Sequence, residues 1–364
     1  MIDARAEHVG SLLRPPALLE ARSKNLSGPE LKRIEDAAIR ETVALQESAG
    51  LPVVTDGELR RESFQSELTA AVDGFEGVSI DAWLWGEWHS AELGDKSVAR
   101  PPAMAVVRPM EQRRSLAAEE FTFLRAVTDR IGKVTLPSPS LFANLWDAER
   151  SAEAYPTFDD FMSAVAGILK REVVELARLG CEYIQLDAPH YPLLVDPTWR
   201  AFYEARGWSA ESWLEYGIAL DNQVIDAAPE VTFGFHLCRG NQDSRWLVSG
   251  GYESIAGPVF QNVHAERLLL EYDDERSGSF EALSLVPDDK VVVLGLVTTK
   301  HAWLEDPEDL RGRIAEAARI LGDDRLAISP QCGFATSIVG NDLTIEDERK
   351  KLKLVTSVAE DVWG

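Results

Sequence analysis

The chain is expected to be an α/β protein, a (β/α)8 TIM barrel with a segment inserted between its second and third strands. Three observations predict this. Short apolar runs rich in Val, Ile and Leu alternate with stretches of helical period along the whole chain. Eight such runs can be counted. No composition break or low-complexity linker divides the 364 residues, so one barrel is expected over 1–364. Barrels of this type run from about 200 to over 400 residues, so the length suits one unit.

The elements follow in order. The first strand is short, around Glu7 to Ser11. The helix after it, Pro29 to Ser48, carries Leu31, Ile34, Ala38, Val43 and Leu45 near a helical repeat, and Gly50 closes it because glycine accepts the left-handed cap. Strand two is Pro52 to Thr55, and strand three is Lys133 to Leu136, after a helix from Ala117 to Ile131. The remaining strands are Tyr183 to Leu186, Val231 to Phe235, Arg267 to Leu270, Lys290 to Leu296 and Arg325 to Ile328. The excess segment, Gly74 to Met110, reads as an inserted hairpin or lid. Its Trp83, Trp85 and Trp88 are expected to cover the barrel or form a subunit contact rather than stack on substrate. A homo-oligomer is left open by that exposed-aromatic reading.

Charge excludes some partners. Thirty-seven basic against 61 acidic residues give a formal net charge of -24, which repels phosphate backbones and anionic lipid headgroups. Nucleic-acid and membrane partners are not expected. The longest apolar run, Val291 to Val297, is far too short to span a bilayer, and the start lacks an apolar leader core, so a cytoplasmic protein is expected. Three widely separated cysteines make no disulfide framework.

In this fold active sites form at the carboxyl ends of the strands, so the residues just beyond each strand are the informative ones. His236 and Cys238, two apart after strand five, share one face of an extended segment. Cys332 occupies the matching position after strand eight, and Glu271 follows strand six. Two thiolates, an imidazole and a carboxylate form a tetrahedral set suited to Zn2+. With two thiolates and one carboxylate the centre carries about -1, which disfavours water activation and favours a thiolate nucleophile attacking an electrophilic carbon. Cys181 precedes strand four, at the other end of the barrel, and is expected to be a core thiol.

Asp187 closes an apolar strand and would point into the barrel mouth, where a substrate ammonium group pairs with it; Glu58 is placed to share that task. Asp56 is expected to serve the local turn. Ser11, after Gly10, is expected to hold a carboxylate. Lys300 and His301, beyond strand seven, are candidates to protonate a leaving group.

These residues resemble the catalytic barrel of the cobalamin-independent methionine synthase family. The likeness rests on Val9-Gly10-Ser11, Asp56-Gly57-Glu58, Gln185-Leu186-Asp187, His236-x-Cys238, Glu271 and Ser329-Pro330-Gln331-Cys332-Gly333, in the family's order. It implies that His236, Cys238, Glu271 and Cys332 are zinc ligands. It also implies that Ser11, Glu58 and Asp187 contact a homocysteine-like thiol, which receives a methyl group from a donor such as a methylated folate or corrinoid. Members with two barrels are known, and this chain has room for one, so it resembles the short stand-alone form. Ala188 stands where the family has an acid, and Pro137 to Ser140 offers no pterin-stacking Trp. The family's proton-delivering His aligns with Lys300, or with His301 after a one-residue shift. Two other readings are addition of a thiol such as coenzyme M to an epoxide on the same zinc barrel, and a non-catalytic zinc- or thiol-binding protein. A metal-free decarboxylase would leave the soft ligands unexplained.

Overall fold

A computed structural model describes residues 2–102 and 104–364; Met1 and Ala103, which fall within the expected barrel and insert, lie outside the described residues. Seven parallel strands make one curled sheet: β1 (Val53–Val54), β2 (Ile131–Pro137), β3 (Tyr183–Asp187), β4 (Thr232–Leu237), β5 (Arg267–Glu271), β6 (Val291–Val297) and β7 (Leu326–Pro330). They are the expected second to eighth strands. Each pairs with its neighbour in chain order, the arrangement of successive βα units in a barrel. Every residue of β3, β4, β5 and β7 is buried, the pattern of parallel strands covered on both faces.

The expected first strand is not a ladder. Its backbone makes a single bridge, Ala6 to Ile328 on β7, with Glu7 N donating to Ile328 O at 3.1 Å. On the β1 side the closure runs through side chains: Thr55 Oγ1 donates to Gly10 O at 2.7 Å, and Gln46 bonds both the His8 ring and Thr55 N, each at 2.8 Å. The helix expected to reach Ile131 ends earlier, as Ala118–Val127, because Ile131 and Gly132 are taken by parallel pairing with Val53 and Val54.

The covering helices are amphipathic and capped. Phe158–Arg178 buries Phe161, Val165, Ile168, Leu169, Val173 and Leu176 at helical spacing. Burying each such side chain contributes about 1.5–3 kcal/mol. Thr157 and Asp160 form a capping box at its start, as Thr344 and Asp347 do for the carboxy-terminal helix Ile345–Trp363.

The insert folds as nested antiparallel pairs, Val72–Glu76 with Ala105–Gln112 and Gly86–Trp88 with Lys96–Val98. It docks on the loop after β4. His89 and Trp246 exchange backbone hydrogen bonds of 2.8 and 3.0 Å, Lys96 pairs with Asp243 at 2.9 Å, and Arg245 donates to the carbonyls of Leu93 and Gly94.

A charged layer fills the barrel at the amino ends of the strands. Glu7 receives Lys133 at 2.9 Å, Arg267 at 2.8 Å and the Tyr183 hydroxyl at 2.9 Å, all four side chains being fully buried. Lys133 also donates to Gln185 Oε1 at 2.9 Å, and Gln185 Nε2 donates to Asp187 Oδ1 at 2.7 Å. Gln185 thus ties the charged floor to the carboxyl-end rim.

Candidate metal centre and its cavity

The rim gathers the three soft side chains. His236 lies in β4, Cys238 just past its end, and Cys332 two residues past β7; their ligand atoms all lie within 4.8 Å of one another, and all three are buried. Local sequence explains the convergence. The two-residue spacing turns His236 and Cys238 to one side. A Cβ at Gly295 would stand 2.7 Å from Gln331 Cα, so the glycine lets the chain leading to Cys332 close in over β6. A Cβ at Gly333 would collide with Ser11 Oγ, so that glycine lets Ser11 lie beside Cys332.

The electrostatics fit a cation. His236 Nδ1 lies 3.3 Å from Leu269 O, which can only accept, so Nδ1 carries the proton and the lone pair is on Nε2. That Nε2 is buried and has no hydrogen-bond partner. The hydrogen bond from Cys332 is the largest influence on Cys238, with His236 acting in the same sense, and together they hold the Cys238 thiol well below its ordinary value. The same shared proton pushes Cys332 well above its own. Burial opposes charge on His236, but contact with Cys238 and the charges of Asp187 and Glu271 outweigh it and raise the imidazole. Two adjoining buried thiols, one of them held low, and an imidazole nitrogen without a hydrogen-bond partner form a donor set suited to a thiophilic cation such as zinc.

Glu271, the last residue of β5, stands outside that three-residue spacing. Its Oε2 accepts Arg239 N at 2.6 Å, and its Oε1 accepts Arg276 at 2.6 Å and Lys300 at 3.5 Å. Burial pushes this carboxyl up, yet Lys300, Arg276 and Arg239 more than cancel that and hold it well below the carboxylate range. Lys300 is buried between Glu271 and Asp273. His301 faces outward and pairs with Glu92 of the insert at 3.1 Å. Neither Lys300 nor His301 lines the cavity above the three ligands.

That cavity brings the other candidates together. Ser11, Glu58 and Asp187 share its wall with His236, Cys238 and Cys332. Glu58 takes a left-handed backbone, φ 56°, held by Asp56 Oδ1 accepting Glu58 N at 2.9 Å. Its Oε1 accepts Thr135 Oγ1 at 2.7 Å, while its Oε2 is buried and unpartnered. Gly10 makes the room: a Cβ there would meet Glu58 Oε1 at 2.9 Å. Burial, with Glu58 adding to it, pushes Asp187 up to about 7 despite the Gln185 hydrogen bond. Cys181 is a core thiol, as expected, donating to Tyr183 O at 3.3 Å.

The upper wall is aromatic, and the insert's tryptophans cover the barrel there. Trp83, Trp85 and Trp88 all line the cavity, with Trp199 and Tyr203 beside them; Trp85 packs on Trp199 with ring centroids 4.7 Å apart. The alternating tryptophans therefore roof the site. His190 also lines it and was missed, although it lies one residue beyond the rim triplet Asp187-Ala188-Pro189. Among the described residues, no helix is long and apolar enough to cross a membrane.

Comparison with known proteins gives one picture. Residues 13–361 match the family model for the cobalamin-independent synthase catalytic domain. The chain is 34% identical over 367 residues to the uncharacterized protein YxjH of Bacillus subtilis, covering 99% of this chain and 94% of that one. It is 25% identical to a methionine synthase of Thermococcus kodakarensis over 337 residues, covering 90% and 85%. A solved Listeria monocytogenes structure, assigned as a vitamin B12-independent methionine synthase, superposes with a TM-score of 0.74 at 28% identity, covering 99% of this chain and 98% of that one.

Proposed function

The chain belongs to the family of cobalamin-independent synthase catalytic domains, and on that premise we propose that it transfers a methyl or related alkyl group to a small amino-acid thiol, homocysteine foremost. The observation that carries the proposal is the buried convergence of His236, Cys238 and Cys332 within 4.8 Å, in a cavity shared with two carboxylates. His236, Cys238 and Cys332 would hold a zinc ion, with Glu271 the nearby anionic candidate for a further donor once released from Arg276 and Lys300, and the ion would supply the Lewis acidity that ionises a thiol at neutral pH.

The chain's own groups do the rest. Asp187 and the free Oε2 of Glu58 receive the substrate ammonium, and Ser11 receives its carboxylate. No Lys or Arg lines the cavity among the described residues, which favours an ammonium-bearing thiol over a sulfonate one such as coenzyme M. The tryptophan roof, carried by the insert as a lid, excludes water from the alkylation step. Lys300 acts through Glu271, keeping it ionised beside the ligands, and His301 acts through Glu92, holding the insert down.

The test is a panel of thiols against methyl donors and epoxides, followed by loss of free thiol. Homocysteine is expected to react fastest. Asp187→Asn is expected to weaken homocysteine by about 10-fold or more, the loss of one charge-assisted hydrogen bond, and to leave 2-mercaptoethanol nearly unchanged. Equal losses for both thiols would remove the ammonium pocket; no alkylation of any thiol would remove the function.

A further inference from the structure

Cys238 and Cys332 sit on different loops, and the fold joins those loops with a net of side-chain amides that takes no part in the alkylation chemistry above. Asn241 follows Cys238 by three residues. Its Nδ2 donates to Gly333 O at 2.7 Å and to Thr299 Oγ1 at 3.0 Å, and its Oδ1 accepts Asn341 Nδ2 at 3.0 Å. Asn341 Nδ2 also donates to Thr299 O at 2.9 Å. Thr299 N donates to Gln331 Oε1 at 2.8 Å, and Thr299 Oγ1 lies 3.0 Å from both that oxygen and Gly333 O. Asn241, Thr299 and Gln331 are all buried.

The net grips Cys332 through both of its chain neighbours. Gln331, before it, is held by Thr299 of the loop after β6, and its own N donates to Val297 O at 2.9 Å. Gly333, after it, is held by Asn241 of the loop after β4. Backbone groups with a single role fix each amide's orientation. Gly333 O and Thr299 O only accept, so they face the amino groups of Asn241 and Asn341; Thr299 N only donates, so it faces the oxygen of Gln331. Between Cys238 and Asn241, Gly240 turns the chain at φ 88°, and a Cβ there would stand 2.7 Å from Leu247 Cβ. The arrangement leaves Gln331 Nε2 buried without a partner, so this amide serves the loop at the expense of its own hydrogen bonding.

We propose that Asn241 and Thr299 are positioning residues that act through Cys332: the net sets the span between Cys238 and Cys332 before a cation arrives, and so raises the affinity of the three-residue site for zinc. This rests on the metal-centre reading above. Two thiolates on separate loops repel each other, and loops free to part would lose that freedom when an ion drew them together. A span already held by hydrogen bonds has lost it on folding, so more of the binding energy appears as affinity.

The test measures the zinc affinity of the full chain by competition with a chromophoric chelator, with urea unfolding of the metal-free protein alongside. Asn241→Leu keeps the volume and removes all three hydrogen bonds; Thr299→Val keeps the shape and removes the hydroxyl. Each folded variant is expected to bind zinc about 10-fold or more weakly, the usual effect of removing a group that orients a metal ligand. Thr299→Ser, which keeps the hydroxyl, is expected to stay within about threefold of wild type by the same argument. Cobalt in place of zinc supplies a spectroscopic signature: the thiolate-to-cobalt charge-transfer band is expected to change in Thr299→Val and to be kept in Thr299→Ser. Should Asn241→Leu fail to fold, the two Thr299 variants decide.

Unchanged zinc affinity in either folded variant overturns the proposal, and so does an equal loss in Thr299→Val and Thr299→Ser. Lower metal-free stability with unchanged affinity likewise overturns it, by making the net a brace of the fold alone. Zinc that is lost in Cys332→Ser yet indifferent to the net leaves the metal centre standing without the net. A wild type that takes up no zinc removes the metal centre, and the net's role falls with it.

Discussion

The barrel holds two buried polar layers, one at each end of the same strands, and they are built on opposite rules. At the amino ends, Glu7 is satisfied by Lys133, Arg267 and Tyr183, and those cations find further acceptors in Gln185, Ala4 and His8. At the carboxyl ends, His236 Nε2, Glu58 Oε2, His190 Nδ1 and Asp221 Oδ1 are equally buried and have no partner. Burial of a charged or polar group is common to both layers and therefore marks neither. Between the Glu7 cluster and the rim the difference is the missing partner, since a buried polar atom left unsatisfied costs about 1–3 kcal/mol unless a ligand meets it; such atoms also occur off the site, as at His8 Nδ1, Arg22 Nε and Trp213 Nε1.

The most forceful way to break this contrast is to remove one partner from each layer. Glu7→Gln leaves Lys133 and Arg267 with an uncompensated buried charge and is expected to cost about 3–5 kcal/mol in urea unfolding. Cys332→Ser, measured without metal, is expected to cost about 1 kcal/mol or less, as a near-isosteric change at a group the fold does not need. Equal costs would erase the distinction.

Acid and base titrate the two layers in opposite senses. Burial works against the Glu7 carboxylate, but Lys133 and Arg267 prevail and hold it down at about 2, so the stability it contributes is complete above its ordinary 4.5 and is lost as pH falls toward 2. Asp221, raised by burial to about 7, is protonated in the fold, so stability falls as pH rises from its ordinary 3.8 to 7. At about 1.4 kcal/mol per pH unit the effect is about 3 kcal/mol for Glu7 and about 4 kcal/mol for Asp221. Glu7→Gln should flatten the acid limb and Asp221→Asn the limb below neutrality; a variant that left its limb unchanged would place the titrating group elsewhere.

Gln185 joins the layers, so Gln185→Leu sharpens the comparison from within. It removes one acceptor from Lys133 and the only hydrogen-bond donor to the Asp187 carboxylate among the described residues, at an expected cost of about 1–3 kcal/mol with weakened homocysteine binding. Stability loss with unchanged thiol affinity would show that the floor does not orient the rim. The smallest effect is expected at His301→Ala. Its partner Glu92 is 63% exposed, so the pair contributes about 1 kcal/mol or less, read as faster hydrogen exchange in the insert around residues 89–98.

Much of this was legible in the sequence, for physical reasons that differ by element. β2 to β7 are buried on both faces and announce themselves as apolar runs, so the rim positions after them follow by counting. His236-x-Cys238 and Cys332 stood out because soft ligands at matching strand ends are an improbable packing accident. The amino-terminal strand misled, since its closure on β1 is made by Thr55 and Gln46 side chains rather than by a backbone ladder. The floor was invisible: Glu7, Lys133 and Arg267 are single charges far apart in sequence, brought together by the barrel's closure alone. The tryptophan roof depends on how the insert docks against Trp246 and Arg245, a tertiary choice that alternation cannot encode. His190 was within reach, one position further along the same rim.

The most direct test is X-ray absorption at the zinc edge on the purified protein, before and after adding homocysteine. The expected result is about one zinc per chain with two sulfur neighbours near 2.3 Å, rising to three with the thiol, and loss of the metal in Cys332→Ser. Zinc surrounded by oxygen and nitrogen only, or a metal content unchanged by that substitution, would contradict it.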